Sequence, residues 1–258
     1  MAAHLTLMAA FLGKRLILSM NSKNDLNNPA PPEQRKVWGR RQSRPLNVTR
    51  AKAMEDIFPQ IEIDKAALTQ DHALSTTALF GNDNETWMEI GFGSGEHVIG
   101  LLDQAPNINM VAAEPFLNGM AAFVKDLPKN HIPRTRVLMD DAIMLASSLQ
   151  ENSINKLYIL NPDPWHKKRH YKRRIVSPEN LDVFAKILKS GGELIMTSDV
   201  PDLADWMLTH AFKHPDFTWQ ATSQADWSEK PKNWITTRYE TKGAKGAKKM
   251  CYLLFTRK

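Results

Sequence analysis

From Thr86 onward, short apolar runs alternate with amphipathic stretches. Residues 87–90, 109–113, 136–139, 156–160 and 193–197 are short and mostly apolar, as buried strands are. Between them, residues 96–104, 117–127, 142–149 and 178–189 place their apolar positions at helical spacing. Strand and helix at this pitch predict a parallel sheet covered on both faces, an α/β fold. A further helix over 202–212 precedes two more strand patterns, 217–221 and 250–256. No good helix pattern separates those two. They are predicted to pair antiparallel across a long polar loop that carries tryptophans. The sum is a mostly parallel seven-stranded sheet with helices on both faces and an antiparallel last strand. Gly191-Gly192 is read as a helix end and a turn into the fifth strand. Trp206, Trp219, Trp227 and Trp234 are read as packing residues.

The chain before this region follows another rule. Residues 5–12 are apolar, Lys14-Arg15 follows, and residues 21–32 are polar and proline-rich, as a disordered linker is. No apolar run approaches the roughly 20 residues of a membrane helix. The charge follows the apolar stretch instead of preceding it, which does not suit a secretory signal. A start of translation at Met20 would account for the leader equally well. Arg35, Lys36, Arg40, Arg41, Arg44, Arg50 and Lys52 form a basic arm that leads into a helix near residues 48–58. The expected division is 1–34 leader and linker, 35–60 basic arm and helix, and 61–258 the α/β domain.

Composition narrows the class without naming it. Of 258 residues, 42% are hydrophobic and 24% charged, as in ordinary folded proteins. Lys plus Arg is 34 against 28 for Asp plus Glu, a net charge of +6. The one cysteine, Cys251, stands in the apolar run from Met250 to Phe255 and is expected to be a buried thiol. It allows no intrachain disulfide, which suits a reducing compartment.

The chemistry gathers at the predicted strand ends. Glu89-Ile-Gly91-Phe-Gly93-Ser-Gly95 falls where the first strand gives way to a helix. The dinucleotide fingerprint needs glycine at its first, third and sixth places. Here the sixth place is Glu96, and glycine takes the first, third and fifth places after an acid. That spacing resembles the nucleotide loop of S-adenosylmethionine-dependent methyltransferases, whose ligand has a cationic methionine end. Glu114 ends the second strand pattern, where an acid commonly takes ribose hydroxyls. Asp140-Asp141 ends the third, where a carboxylate can reach an adenine amino group. The fourth runs into Asn161-Pro-Asp163-Pro-Trp165, with prolines stiffening both sides of Asp163. Six of the eight residues from Lys167 to Arg174 are Lys or Arg, a density that suits nucleic acid. Tyr171 is placed to stack on a base. His166 and His170 have the spacing of helical metal ligands, but the surrounding cations would repel a metal ion, and no metal is expected.

Taken together, Glu89-x-Gly-x-Gly-x-Gly95, the run from Pro162 to Arg174, Thr197-Ser-Asp199 and Thr237-Arg-Tyr-Glu240 resemble bacterial tRNA (guanine-N7-)-methyltransferase. The resemblance covers about residues 39–257. It implies a Rossmann-like class I methyltransferase that modifies guanine 46 in the tRNA variable loop. It implies cofactor contacts from Glu89, Gly91, Gly93, Gly95, Glu114, Asp141 and Asp163, with Asp163 also catalytic. Lys167, Asp199, Thr237, Arg238, Tyr239 and Glu240 match substrate positions. Arg169, His170, Tyr171, Lys172, Arg173 and Arg174 match the RNA-contacting stretch. Asn161 departs from the family's commoner aromatic or apolar residue.

Locally, Asp199 also reads as a helix cap before Pro201, and residues 237–240 as a strand-edge turn. An amino-methyltransferase would carry two consecutive prolines after its Asn or Asp, which Asp163 interrupts here. A non-catalytic RNA-binding protein on a retired fold would have no reason to keep acids at three strand ends. The implied cofactor is S-adenosyl-L-methionine and the implied partner tRNA. No membrane or obligate protein partner is expected for a cytoplasmic monomer or homodimer.

Overall fold

The computed structural model describes residues 38–68, 73–243 and 249–258. The expected leader and linker, with Arg35 and Lys36, lie outside the described residues, as do residues 244–248 of the basic loop near the carboxyl end. Asn47 opens the first helix, α1 (Val48–Asp56), by accepting the backbone N–H of Arg50. Two short helices follow, α2 (Phe58–Ile61) and α3 (Thr76–Phe80). The alternating body then runs β1 (Glu85–Ile90), α4 (Glu96–Gln104), β2 (Ile108–Ala113), α5 (Leu117–Asp126) and β3 (Thr135–Leu138). It continues with α6 (Ala142–Ser148), β4 (Ile154–Leu160), α7 (Pro178–Ile187), β5 (Leu188–Ser198) and α8 (Pro201–Lys213). Last come β6 (Phe217–Trp219), α9 (Ala225–Ser228), α10 (Arg238–Gly243) and β7 (Cys251–Arg257).

The seven strands form one sheet in the order β3-β2-β1-β4-β5-β7-β6. β1 to β5 pair parallel, and β7 is antiparallel to both β5 and β6. Period-2 alternation along the strands feeds two core layers. Met88, Val111, Leu157, Met196 and Phe255 face α6, α7 and α8. Met110, Ala112, Tyr158 and Ile195 face α1, α2, α4 and α5. The predicted Rossmann-like architecture is therefore present, antiparallel last strand included.

One sequence expectation is corrected. The helix before β5 ends at Ile187, and Gly191-Gly192 lies inside β5. The register against β4 shifts between Ile154 and Lys156, and Gly191 has φ +78°. The pair makes an irregularity in the strand, a known use of glycine there.

Gly95 decides how β1 hands over to α4. It caps α4 with φ +79°. A Cβ added there would clash with Cδ2 of Phe123, which is fully buried on α5. Gly95→Ala is expected to cost about 2–4 kcal/mol, combining a left-handed backbone penalty with overpacking. Urea denaturation checks this, and a loss below about 1 kcal/mol would mean that the loop and α5 separate easily.

Candidate functional site

The chain order along the sheet reverses between β1 and β4, which lie side by side in parallel register with Ile90 opposite Ile159. Open α/β sheets bind ligands at such a switch point, beyond the carboxyl ends of the strands. β1 runs out into the glycine loop, and β4 runs out into Pro162-Asp163-Pro164. The ladder continues past the strands. Gly91 N–H donates to Ala113 O at 2.8 Å, Glu114 N–H to Leu138 O at 3.1 Å, and Asn161 N–H to Thr197 O at 3.0 Å. Glu89 and Gly91 thus come to one edge with Glu114, Asp163 and Asp199, which are distant from them in the chain.

Each acid is held differently. Glu114 accepts Gly93 N–H at 2.7 Å and Phe116 N–H at 2.9 Å. Burial raises its pKa against those two bonds, and the charges of Asp163 and Glu89 push it the same way. Glu89 is buried on β1, with Oε2 2.7 Å from His97 Nδ1. Asp141 caps α6 through Ile143 N–H at 2.9 Å. Its neighbour Asp140 meets Lys65 at 2.8 Å and Arg41 at 3.4 Å. Burial pushes the Asp140 carboxyl up, but Lys65, the Asp141 N–H and Arg41 outweigh it and hold its pKa below the usual range.

The turn that presents Asp163 is bracketed by two left-handed residues, Asn161 at φ +47° and Trp165 at φ +45°. Asn tolerates this region; a bulky side chain does not, so Trp165 stores strain. Asp163 itself is exposed. The basic run that follows divides in two. Lys167, Lys168, Arg169 and Lys172 are exposed. Arg173 lies over the rings of Trp38, at 3.8 Å, and Trp165, at 5.0 Å.

Arg174 corrects its expected place on the RNA face. Its side chain has 0% exposure. It pairs with Asp202, donates from Nε to Pro164 O at 2.9 Å, and stacks on Tyr171 at 3.8 Å. Tyr171 is itself engaged, edge-on to Trp206 at 5.3 Å, and is not a free stacking platform. Arg174 braces the Asp163 turn through Pro164 O, and Tyr171 packs on Arg174.

Two further segments close over the edge. Residues 38–47 cross it as a strap. Arg41 O accepts from Leu117 N–H at 2.9 Å, Ser43 N–H donates to Asn118 Oδ1 at 2.8 Å, and Asn118 Nδ2 donates to Arg44 O at 2.8 Å. A Cβ on Gly39 would stand 3.7 Å from Asp163 Oδ2. From the other side comes the segment before β7. Thr237 begins a helix rather than a strand-edge turn, because its Oγ1 accepts Glu240 N–H at 3.3 Å. Thr237-x-x-Glu240 is a helix-start signature. Arg238 reaches Glu96 at 3.5 Å, and Tyr239 O–H reaches Asp199 at 3.4 Å. Burial, then the Asp199 charge, raises the Tyr239 pKa, with Asp163 adding to it. Asp199 caps no helix, since α8 starts after Val200 without a side-chain cap. Glu240 is turned inward, accepting Trp234 Nε1–H at 3.1 Å, so it anchors the segment rather than presenting its carboxylate.

The edge suits a cationic adenosine ligand. Nothing stands within 4 Å of where Cβ atoms would be on Gly91 and Gly93, so the loop leaves open space. Glu89, Glu114 and Asp163 crowd like charges that a sulfonium and an ammonium would relieve. A cavity of about 430 Å³ opens between strap and loop, with Arg44, Arg50, Ser94 and Asn118 in its wall. Among the described residues, no His, Cys, Asp and Glu cluster is arranged to hold a metal ion. No helix among them is long and apolar enough to cross a membrane. Cys251 is half-buried, and burial pushes its thiol up to about 11, so it is not a nucleophile here.

Asn118 and His97 were not singled out from the sequence as site residues. His97 carried a usable signal: it is polar, yet it lies on the buried stripe of α4 with Val98, Leu101 and Leu102.

Residues 83–253 match a family model described as "Putative methyltransferase". A tRNA (guanine-N(7)-)-methyltransferase of Rhodospirillum rubrum is 34% identical over 229 residues, 88% of this chain and 90% of its own. One of Brucella melitensis is 38% identical over 222 residues, 86% of this chain and 94% of its own. The crystal structure of 16S rRNA methyltransferase KamB is similar at 15% identity and a TM-score of 0.49, covering 71% of this chain and 94% of that one.

The two halves of the basic run should separate by mutation. Arg174→Ala is expected to destabilise the fold by about 2–3 kcal/mol, because it removes a fully buried guanidinium with its bonds to Pro164 O and Asp202 and its stacking on Tyr171. Arg169→Ala, at an exposed position, is expected to shift stability by less than about 0.5 kcal/mol. Thermal melts of both variants check the division, and equal losses would refute it.

Proposed function

The chain belongs to the tRNA (guanine-N7-)-methyltransferase family, and on that premise we propose that it transfers the methyl group of S-adenosyl-L-methionine to N7 of a guanine in tRNA, giving 7-methylguanosine. The target is position 46 of the variable loop, following the resemblance of the motifs. The reaction is assigned to the cytoplasm, with its substrate. The observation that carries this reading is the convergence at the switch point. Asp163 lies close enough to Glu114 on one side and Tyr239 on the other to influence the pKa of both.

Guanine N7 carries a free lone pair at neutral pH, so no base has to remove a proton before it reacts. When bound, S-adenosylmethionine supplies a methyl group on a positively charged sulfur. Glu89, Glu114 and Asp141 would hold it at the ends of β1, β2 and β3, with Gly91, Gly93 and Gly95 letting the backbone approach. The purine becomes cationic as N7 gains the methyl. A fixed carboxylate beside the ring favours that charge, and its stiff turn spares it from reorganising at that moment. We assign this role to Asp163. Asp199 offers a second carboxylate, and Tyr239 an exposed ring at the rim on which a guanine can stack. Thr237 and Arg238 shape this wall. Lys167 stands next to the turn, where it can contact phosphate or orient the acid. Lys168, Arg169 and Lys172, with Arg44 and Arg50 of the strap side, form the face for the tRNA backbone.

Asp163→Ala is expected to lower turnover by about 10²-fold or more while cofactor and tRNA binding largely survive. Incubation with tRNA and labelled S-adenosylmethionine, followed by nucleoside analysis, measures it. Near-normal turnover would remove Asp163 from the catalytic role. The same assay on tRNA with adenine at position 46 should yield no 7-methylguanosine, and persistent product would move the target elsewhere.

Affinity for tRNA should fall steeply with salt, and the slope should shrink by about one for each of Lys168, Arg169 and Lys172 changed to Ala. Binding titrations across a salt series read this out. A flat dependence would leave the basic face as solvated surface only.

A further inference from the structure

Glu89 is the least accessible of the acids assigned to the cofactor, with a side-chain exposure of 3%. A glutamate has three rotatable bonds, and a buried carboxylate needs hydrogen bonds to remain charged and in place. The partner for Glu89 is His97, itself 2% exposed, with Nδ1 at 2.7 Å from Oε2. An ionised carboxylate only accepts, so the proton of this bond belongs to His97 Nδ1. The ring has little freedom to turn away. Tyr158 of β4 packs edge-on against it at 4.9 Å, and Trp234 packs against it at 5.5 Å. Trp234 is fixed in turn, edge-on to Tyr252 of β7 at 5.1 Å. Tyr158 directly, and Trp234 backed by Tyr252, therefore set the direction in which Nδ1 points.

We propose that His97 is a positioning residue for cofactor binding: its Nδ1–H engages Glu89 Oε2 and so aims Oε1 at the cationic methionine end of S-adenosylmethionine. His97 touches neither cofactor nor guanine in this scheme; it acts through Glu89. The inference rests on the reading of Glu89 as a cofactor acid and goes beyond it. It names the group that makes a buried, flexible acid into a defined site. It also explains a histidine in the buried stripe of α4, where an apolar residue would pack at lower desolvation cost.

Hydrogen bonding and packing predict opposite orders for two variants. His97→Phe keeps an aromatic ring between Tyr158 and Trp234 but has no donor. His97→Asn loses the ring but carries an N–H on the same γ carbon as Nδ1. Calorimetric titration of the full chain with S-adenosylmethionine should show His97→Phe binding about tenfold or more weaker than wild type, the scale of a hydrogen bond to a charged group. His97→Asn should stay within about threefold, although it should melt lower. Glu89→Gln in the same titration tests the underlying reading and should also lose affinity. If Glu89→Gln binds weakly while His97→Phe binds normally, the proposal for His97 falls and the reading of Glu89 stands. If affinity follows the melting order, with His97→Asn worse than His97→Phe, the ring matters only as packing and the proposal falls. If Glu89→Gln binds normally, Glu89 is not a cofactor acid and the proposal falls with it.

Discussion

Glu114 accepts the backbone N–H of Gly93 with one oxygen and that of Phe116 with the other. One side chain at the end of β2 thereby ties the loop after β1 to the start of α5. The opposite face of the loop is held just as closely, since a Cβ on Gly119 of α5 would stand 2.6 Å from Gly93 O. The loop keeps its open face because it is gripped from behind. The grip has a cost, because Glu114 is buried beside two further acids and its pKa is raised despite two strong donors. Fold stability alone would favour a neutral group here. A cationic ligand reverses that balance, and this is why the arrangement reads as a binding site rather than a structural cap.

The basic residues obey a different logic from the one their density suggests. The net charge of +6 counts Arg173 and Arg174 with the rest. Arg174 has no exposed side chain, and Arg173 lies over the rings of Trp38 and Trp165. Both work on the protein. Arg174 holds Pro164 O from behind the turn, and Arg173 ties that turn to the strap through Trp38. The exposed charges beside them face outward on the same short helical stretch. One run of sequence therefore both braces the Asp163 turn and presents an exposed basic surface.

Much of this was readable from the chain. The sheet followed from apolar runs bounded by glycine and acid, and α4 spans Glu96–Gln104 as its spacing predicted. The acids at the strand ends were readable because a parallel sheet collects strand ends at one edge. Facing was not. Period and density do not say which arginine of a basic run points inward, and Arg174 is covered by Tyr171 and by Trp206 of α8, the latter distant in sequence, with Asp202 as its ion-pair partner. Residues 237–240 carried a capping-box pattern, but the expected antiparallel pairing of the flanking strands drew them toward a turn. Asn118 had no local signal, since its role depends on a strap that arrives from 75 residues earlier in the chain.

The turn around Asp163 shows how these constraints meet. Asn161 and Trp165 both adopt left-handed backbone, at roughly 1–2 kcal/mol each for an ordinary residue. Asn161 lowers the first cost, because a short polar side chain tolerates that region. Its difference from the commoner aromatic or apolar residue is therefore compatible with the turn it opens. Trp165 bears the second cost in full, and its ring regains part of it against Arg173 at 5.0 Å and edge-on to His170 at 5.9 Å. The prolines remove alternative backbone states between the two strained positions. Asp163 is left exposed, on a backbone that has little freedom. A flexible loop could bring the same acid to the same place only by ordering itself at the moment of reaction. Strain stored at Asn161 and Trp165, and held in place by Arg173 and Arg174, makes that ordering part of folding instead.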